Sequence, residues 1–455
     1  MPMLVKEMGP AAEAVAESLS TDTFEATLEM VPRNCVLKPP YEKVKVPAFS
    51  VSGQLTAFAS PDSTFAVTKR LLDAAKKTVE IGIYDFTAGY VASILKDAMA
   101  RGVKVTLMLD TDHVKGEDEI FLELKQAGAD CVSAPSCASE NKSATVFRSA
   151  HEKFIVIDGE VCIVQSGNYS PNSIPMNVLD GKVDGHFRNG NRDMGVAVHS
   201  KTLAAFLTKI LDSDIKLELN TPQALAVAAA KLAPPPMLVE AAPTKRPDKL
   251  FPSKTFTLSK ALSVEPILTP DNYMDVIPGI LKAAKSSVLI EQQYIHSADE
   301  PVAKLLQAIA DAKKGNSKFD VRIILGKIFS NKDLAKEKVN LANMATKYGL
   351  KIGQNIRYID TTRLVHCHNK LVIVDGESVL VSSQNWSKAA VLENREAGLL
   401  FKHTGVASYL TAIFEVDWKT GQKKLPAQIG ATVASPESLK EGGFIEVAAA
   451  DYQQL

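Results

Sequence analysis

The sequence has no excess of either charge, because its 455 residues include 52 lysines and arginines and 52 aspartates and glutamates. This balance excludes a wholly basic coat of the kind that covers nucleic-acid-binding proteins, although it allows a local basic groove. No stretch is long and apolar enough to span a membrane, so we expect no integral membrane segment. The N-terminus lacks a basic start followed by an apolar core, so no secretory signal is visible there.

Cysteine is also scarce, with five residues scattered along the chain. Cys162 lies inside an apolar run, which predicts a buried thiol. Cys131 and Cys137 flank a loop and lie near enough in sequence to form a bridge. The pattern as a whole favours a reduced, cytoplasmic protein, because disulfides persist mainly in oxidising compartments.

One polar pattern occurs twice. Each copy has H-x-K-x-x-x-x-D, then a serine and an asparagine, then a carboxylate within Asn-Arg-Asp/Glu. The members are His151, Lys153, Asp158, Ser166, Asn168 and Asp193 in the first half, and His368, Lys370, Asp375, Ser383, Asn385 and Glu396 in the second. One match to the His-Lys-Asp part is expected by chance at roughly a few per cent. Two matches with the same downstream residues indicate an internal duplication.

The residues around each motif predict a β-hairpin. Apolar runs at 154–157 and 161–164 flank one Asp-Gly pair, and runs at 371–374 and 379–381 flank the other. Two short apolar runs around Asp-Gly are typical of adjacent strands joined by a tight turn. A histidine and a lysine two residues apart share one face of a strand, so both can contact one ligand. Together with an asparagine they suit a phosphate anion. Asp158 and Asp375, in the turns, are better explained as structural residues.

These motifs resemble the phospholipase D superfamily, whose signature is H-x-K-x-x-x-x-D followed by G-S-x-N. The resemblance covers about 55–220 and 260–420. Shorter segments resemble the family's small bacterial endonuclease branch: 60–62, 84–88, 101–105 and 383–390. The sequence departs from the signature at its glycine, which is Gln165 in the first half and Ser382 in the second. A side chain at that position narrows a phosphate pocket, so we expect a changed pocket shape.

The resemblance implies a covalent mechanism that needs no metal and no cofactor. His151 is expected to attack phosphorus, and His368 to protonate the leaving oxygen and then activate water. The lysines, asparagines and serines of the motifs are expected to bind the phosphate: Lys153, Lys370, Asn168, Asn385, Ser166 and Ser383. Asp193 and Glu396 occupy the place where the family keeps a carboxylate bonded to a catalytic histidine.

Two other interpretations of these residues stay open in the sequence. Each carboxylate can instead pair with the arginine that precedes it, Arg192 or Arg395. His366 and His368 invite a zinc interpretation, but they lack a second pair of ligands at ordinary zinc spacing, and the first repeat has Ser149 at the place of His366. The chemistry of the motif therefore favours a site without metal.

The order of elements predicts an α/β fold: two pseudo-two-fold-related repeats of phospholipase D type, with mixed sheets flanked by helices and an active site at the repeat interface. Helices followed by strands are expected at 71–76 and 79–84, 91–100 and 103–109, 280–285 and 288–293, and 302–312 and 321–325. The expected divisions are an N-terminal arm at 1–54, a first repeat at 55–220, an Ala/Pro-rich linker at 221–258, a second repeat at 259–424 and a tail at 425–455. Residues 170–191 have no counterpart in the second half and are expected to form a loop beside the first motif.

The predicted function is hydrolysis of a phosphodiester, with nucleic acid slightly favoured over phospholipid as the substrate. A phospholipid hydrolase or phosphatidyl transferase is the alternative, and Trp386 with Val391 and Leu392 is its candidate apolar surface. Trp386 can equally stack a base or pack in the core. An inactive phosphate-binding scaffold is the third interpretation. Because one chain carries both motifs, we expect no oligomer to be required for the site.

Overall fold

The structure, a computed structural model, describes residues 37, 41–111, 116–137, 145–176, 190–219, 237–240, 250–427 and 444–447. Several sequence-based expectations fall elsewhere. Most of the arm, of the linker and of the tail lies outside the described residues, and so does the centre of the 170–191 loop.

The elements follow one another in the same order in both halves, except that the second half has one additional short helix between its last two strands. The first half contains β1 Phe49–Ser60, α1 Thr64–Ala74, β2 Thr78–Ile83, α2 Gly89–Ala100, β3 Lys104–Leu109, α3 Glu117–Gln126, β4 Asp130–Ser133, β5 Lys153–Ile157, β6 Val161–Gln165, β7 Asp193–His199 and α4 Lys201–Leu219. A short strand, β8 Met237–Glu240, precedes the second half. The second half contains β9 Lys254–Thr269, α5 Tyr273–Lys282, β10 Ser287–Gln292, α6 Glu300–Lys313, β11 Asp320–Leu325, α7 Asn331–Tyr348, β12 Ile356–Tyr358, β13 Leu371–Val374, β14 Ser378–Ser382, α8 Lys388–Leu392, β15 Glu396–Lys402 and α9 Thr404–Thr420. The last described strand, β16 Phe444–Val447, pairs with β8.

Fourteen of these strands form one mixed sheet, in the order β12-β11-β10-β13-β14-β15-β9-β1-β7-β6-β5-β2-β3-β4. The order is palindromic about the β9–β1 pair, because each half contributes its own equivalent strands in mirrored sequence. The long antiparallel pair of β1 and β9 joins the halves, with Leu55 opposite Phe256 and Val51 opposite Leu262. The structure is therefore the mixed α/β fold that the sequence predicts, built as one continuous sheet.

Three apolar cores accompany this sheet. One lies under α1, α2 and α3 in the first half, and one lies under α5, α6 and α7 in the second. The third contains residues of both halves, such as Phe154 of β5 and Ile373 of β13, together with the buried faces of α4 and α9. This shared core stabilises the association of the two halves, because apolar side chains of both halves are buried in it.

The predicted helices and strands agree with the structure to within a few residues, except that the first helix begins several residues earlier in each half, at Thr64 and Tyr273. β1 and β9 were not expected: β1 begins at Phe49, inside the expected arm, and β9 begins at Lys254, inside the expected linker. The two motif hairpins, β5–β6 and β13–β14, are separated in the sheet by four strands. They nevertheless approach each other, because β6 and β14 contact across the shared core.

Candidate active site

Asp158 and Asp375 are the last residues of the two H-x-K-x-x-x-x-D motifs, and both lie in hairpin turns, where they have a structural role. Both residues have a φ of 54°, a left-handed conformation that aspartate tolerates better than most residues. The Asp158 carboxylate accepts backbone N–H groups of Lys76, Lys77 and Thr78 at 2.6–3.1 Å. Asp375 makes the equivalent bonds to residues 285–287. Burial of these carboxylates acts to raise their pKa, but the N–H groups hold it below its ordinary value. Each aspartate thus fastens its hairpin to the start of the neighbouring strand, away from the histidines.

The backbone just before each hairpin is bonded to the opposite repeat. His151 N donates to Arg395 O at 2.7 Å, and His368 N donates to Arg192 O at 3.0 Å. In return, Arg395 N donates to Ser149 O. The two histidines therefore lie at the repeat interface, and the same hydrogen bonds occur on both sides of the pseudo-two-fold axis.

Each histidine is also bonded to the carboxylate of the other repeat. His151 Nδ1 lies 2.8 Å from Glu396 Oε2, and His368 Nδ1 lies 2.9 Å from Asp193 Oδ1. All four side chains are buried. Burial acts to raise the pKa of Asp193, but His368 and Lys370 outweigh it and hold that pKa below its ordinary value. A carboxylate on Nδ1 fixes the tautomer and leaves Nε2 as the ring nitrogen for chemistry.

The motif serines bond to the same carboxylates. Ser166 Oγ donates to Asp193 Oδ1 at 2.8 Å, and Ser383 Oγ donates to Glu396 Oε2 at 2.6 Å. Each hydroxyl also accepts the backbone N–H that follows the carboxylate, at 3.0 Å in both repeats. Because these bonds occupy the hydroxyls, the geometry favours a positioning role for the serines over the expected role in phosphate binding.

The lysines of the motifs lie beside the histidines, although the histidines precede the strands, which begin only at Lys153 and Leu371. Lys370 Nζ is 2.9 Å from His368 Nε2 and donates to His368 O at 2.6 Å. Lys153 Nζ donates to His151 O at 2.8 Å and lies 5.0 Å from the ring centre of Tyr84. Both lysines are buried, so their charge acts in a medium that screens it little.

The motif asparagines lie just after the second strand of each hairpin and are fully buried. Within the described part of the chain, neither polar atom of the Asn385 amide has a hydrogen-bond partner, which is unusual for a buried amide. The two residues at the position of the family glycine donate hydrogen bonds to backbone carbonyl groups. Gln165 Nε2 donates to Gly167 O at 2.8 Å, and Ser382 Oγ donates to Lys370 O at 3.1 Å.

The arginines that precede the carboxylates have partners of their own. Arg192 binds Asp417 on α9 at 2.6 Å and Asp62 at 3.0 Å. Arg395 binds Asp214 on α4 at 2.7 Å and Asp271 at 2.6 Å. The alternative pairing of these arginines with Asp193 and Glu396 is therefore wrong in this structure. The arginines instead tie each repeat to the last helix of the other.

Sequence reasoning missed these four aspartates, although two repeated signals mark them. Asp214 follows Asp193 by the same number of residues as Asp417 follows Glu396. The tripeptide Ser60-Pro61-Asp62 likewise has its copy in Thr269-Pro270-Asp271.

Two further buried carboxyl groups lie close to the motifs. Glu152, between His151 and Lys153, has no hydrogen bond to either carboxyl oxygen among the described residues, and burial raises its pKa to about 8. Glu291 on β10 accepts Asn369 Nδ2 at 2.7 Å, and burial raises its pKa to about 8 as well. Burial therefore favours the neutral, protonated form of both groups.

The zinc interpretation of the sequence involves His366, so the hydrogen bonds of this residue bear on the expected absence of a metal. Lys327 N donates to His366 Nδ1 at 2.8 Å, so this nitrogen is already bonded to the backbone. Among the described residues, no group of three histidine, cysteine, aspartate or glutamate side chains is arranged to hold a metal ion.

Of the candidate apolar surface only Leu392 is exposed, at 36%. Trp386 and Val391 are buried, and Trp386 Nε1 donates to Tyr273 OH at 3.0 Å. The tryptophan therefore packs in the core and stacks no ligand. No helix of the described residues is long and apolar enough to cross a membrane.

The cysteines also differ from expectation. Cys131 is a free thiol and Cys137 is disulfide-bonded, so the bridge between them that the sequence allows is not formed. A disulfide bond is typical of oxidising compartments and weakens the expectation of a reduced, cytoplasmic protein.

The two α/β repeats share one continuous sheet, and their buried His–Lys motifs meet at the interface between the repeats. The family model described as "Cardiolipin synthase, PLD-like domain" matches residues 68–215 and 278–418. The chain belongs to the phospholipase D superfamily, as the sequence motifs predict.

Individual relatives are distant. A phospholipase D of Rickettsia typhi is 27% identical over 125 residues, which are 28% of this chain and 56% of that protein, so the match spans about half of the relative's length. Phosphatidylserine synthase of Haemophilus influenzae has a similar structure, with a TM-score of 0.56, 13% identity, and coverage of 93% of this chain and 96% of that one. The nuclease Nuc of Salmonella typhimurium matches 38% of this chain and 98% of its own, with 16% identity and a TM-score of 0.30. At this level of identity the phosphatidylserine synthase shows a common fold and no more.

Proposed function

We propose that this chain is a metal-independent phosphodiesterase that works through a covalent phosphohistidine. The observation that carries the proposal is the reciprocal pairing of His151 with Glu396 and of His368 with Asp193. Each repeat supplies a histidine and the carboxylate that orients the other repeat's histidine. A single chain therefore completes the site, and no oligomer is required.

In the first step, Nε2 of His151 attacks phosphorus and the P–O bond to the leaving group breaks. His368 gives its Nε2 proton to the leaving oxygen, so this oxygen departs as an alcohol. In the second step, His368 takes a proton from water, the resulting hydroxide attacks phosphorus, and the P–N bond to His151 breaks. The assignment of nucleophile and acid follows the resemblance to two-repeat members of the family.

The lysines and asparagines of the motifs stabilise the negative charge of the transferring phosphoryl group. Lys153 and Lys370 lie beside the two imidazoles, and a bound phosphate competes with His368 for the Lys370 ammonium. Asn385 brings an amide that has no hydrogen-bond partner among the described residues and can therefore bind a phosphate oxygen. Preorganised donors in a buried site stabilise transition-state charge far more than water does.

Transfer of the phosphoryl group to an alcohol, as in phosphatidyl transfer, is the second candidate. The complete burial of both histidines favours it, because a site that excludes water protects the intermediate from hydrolysis. The matched family model also carries the description of a cardiolipin synthase. The third interpretation, an inactive scaffold, gains nothing from the structure's geometry, since both His–Lys pairs and both carboxylates are in place.

Turnover in EDTA tests the proposal. Labelled DNA and RNA, single- and double-stranded, are incubated beside phosphatidylcholine and phosphatidylglycerol vesicles, with glycerol added to half of the samples. We expect cleavage of one class in the presence of EDTA, and a glycerol adduct if the enzyme transfers. The His151→Asn protein is the matched control in every sample.

Activity that survives in His151→Asn contradicts the covalent mechanism. Activity that EDTA abolishes and added metal restores contradicts the metal-independent scheme. A folded protein that cleaves none of these substrates favours the scaffold.

A further inference from the structure

We propose that the second repeat holds a nucleobase subsite beside His368, which would make a nucleic acid the substrate of the proposed phosphodiesterase. The proposal rests on the function proposed above and adds the chemical class of substrate. Its basis is a cavity of about 270 Å³ whose wall includes Gln293, Tyr294, His296 and Phe329.

The cavity is close to the catalytic histidine. His366 lies two residues before His368, and the centres of their rings are 6.4 Å apart. The ring of Phe329, in the cavity wall, is 5.0 Å from the His366 ring. Gly326 also lines the cavity, and a Cβ at this glycine would lie 2.2 Å from His366 Cε1. The His366 ring thus lies between the cavity wall and the His368 ring, which places the cavity on the second repeat's side of the site.

Gln293 gives the cavity an open hydrogen-bonding group. Its side chain is 4% exposed, and neither its Oε1 nor its Nε2 has a hydrogen-bond partner in the described part of the structure. A buried amide without partners is costly, and a ligand that supplies one donor and one acceptor removes the cost. The edge of a nucleobase supplies such a pair, as in the bidentate contacts of glutamine with adenine.

Tyr294 and His296 give the cavity a flat aromatic surface. Their rings are stacked, with centres 4.6 Å apart and planes 21° from parallel. The His296 side chain is 45% exposed, so the protein does not close over the stacked pair. Aromatic pairs of this kind stack bases without regard to sequence.

The first repeat lacks this surface. The register of β2 against β5 and of β10 against β13 makes Asp85 and Thr87 the counterparts of Tyr294 and His296. The Thr87 hydroxyl donates to Asp85 at 3.1 Å, so these two side chains bond to each other. The base would consequently be held on one side of the scissile phosphate only.

The wall of the cavity is polar and carries charged side chains of both signs. Its carboxylates have donors within the protein: Asp299 accepts Lys388 N at 2.6 Å, Asp333 accepts Ser330 Oγ at 2.6 Å, Glu393 lies 3.0 Å from Lys388 Nζ, and Glu337 accepts Asn340 Nδ2 at 3.2 Å. The side chains of Lys327 and Lys336 line the same cavity beside these carboxylates. A polar and charged wall is unsuited to an acyl chain.

The test compares three dinucleotides: d(TpT), and the same molecule with a base-free tetrahydrofuran residue on the 5′ or on the 3′ side. We expect loss of one base, but not of the other, to lower kcat/KM by roughly 5- to 100-fold, which is the effect of one base stack. Tyr294→Ala should lower kcat/KM for d(TpT) by a similar factor and leave cleavage of the sensitive base-free dinucleotide unchanged. Gln293→Leu should behave alike.

Val339→Ala is the matched control, because Val339 is 58% exposed on α7 and lies outside the cavity wall. Equal losses in Tyr294→Ala for all three dinucleotides would overturn the subsite while leaving the phosphodiesterase intact. Turnover of phosphatidylglycerol vesicles without turnover of d(TpT) would overturn the nucleic-acid substrate and keep the covalent mechanism. Failure of every diester, with no phosphorylated His151, would overturn the proposed function together with this inference.

Discussion

Replacement of Glu396 by glutamine removes one charge from the site and little else. The carboxylate accepts His151 Nδ1 and Ser383 Oγ at Oε2, and Asn394 Nδ2 at Oε1, 2.9 Å away. A glutamine keeps an oxygen toward the histidine and the serine. Its new NH₂ group faces Asn394, whose own Oδ1 has no hydrogen-bond partner among the described residues. Rotation of the Asn394 amide restores every bond, so the variant should fold normally.

The cost should fall on the charged intermediate at His151. Opposite charges about 4 Å apart interact by roughly 4 kcal/mol at the effective dielectric constant of about 20 that suits protein sites. Loss of that energy from the transition state lowers the rate by about 10³-fold. We expect the first, phosphohistidine-forming step of Glu396→Gln to slow by this factor.

A diester with a 4-nitrophenolate leaving group separates the two steps, because this leaving group needs no proton. In stopped-flow assays, Glu396→Gln should show no rapid burst of nitrophenolate. The matched variant Asp193→Asn affects His368, so it should keep the burst and slow the later hydrolysis. Rates of both variants within about fivefold of the unmodified protein would refute the electrostatic role of the pairs. The opposite pattern of bursts would make His368 the nucleophile.

Three further predictions concern stability. Arg192→Met leaves Asp417 and Asp62 buried without their counter-charge, and should lower the free energy of unfolding by about 3–5 kcal/mol in urea titrations. The pKa of Glu152 is about 8 in the folded state against its ordinary 4.5, so the carboxyl group ionises first in the unfolded state as the pH rises. Its contribution to the free energy of unfolding is therefore complete below pH 4.5 and is lost as pH rises toward 8. Glu152→Gln should therefore gain stability over the unmodified protein at up to about 1.4 kcal/mol per pH unit across that range, whereas equal pH profiles would contradict the raised pKa. Asp158→Ala should cost about 1–3 kcal/mol of stability through three lost N–H partners without a change in kcat, and a large loss of kcat at full folding would make the turn part of the chemistry.

Local patterns in the sequence predict most of the elements that carry the site. The hairpins at Asp158 and Asp375 follow from two apolar runs around Asp-Gly, and the helix–strand pairs follow from their periodicity. Family resemblance adds the fold and the pairing of histidines with carboxylates. The hairpins and the helix–strand pairs depend on residues that are close together in the chain, so the sequence alone predicts them.

Long-range features were less accessible. The pairing of β1 with β9 joins residues about 200 positions apart, such as Leu55 and Phe256, and no local pattern encodes such a register. The pairing of each histidine with the carboxylate of the other repeat also joins residues that are far apart in the sequence, so no local pattern predicts it. Trp386 shows the limit for single residues, because a tryptophan next to a motif reads equally as a ligand contact or as core until its burial is known.

The measurement that tests the central claim most directly is trapping of the covalent intermediate. The protein is mixed with a ³²P-labelled diester in EDTA, quenched with base because phosphohistidine is labile in acid, and digested for mass spectrometry. We predict label on His151 in the unmodified protein, more of it in His368→Asn with a good leaving group, and none in His151→Asn. Turnover without label on either histidine, or label that persists in His151→Asn on a serine or lysine, would contradict the two-histidine mechanism.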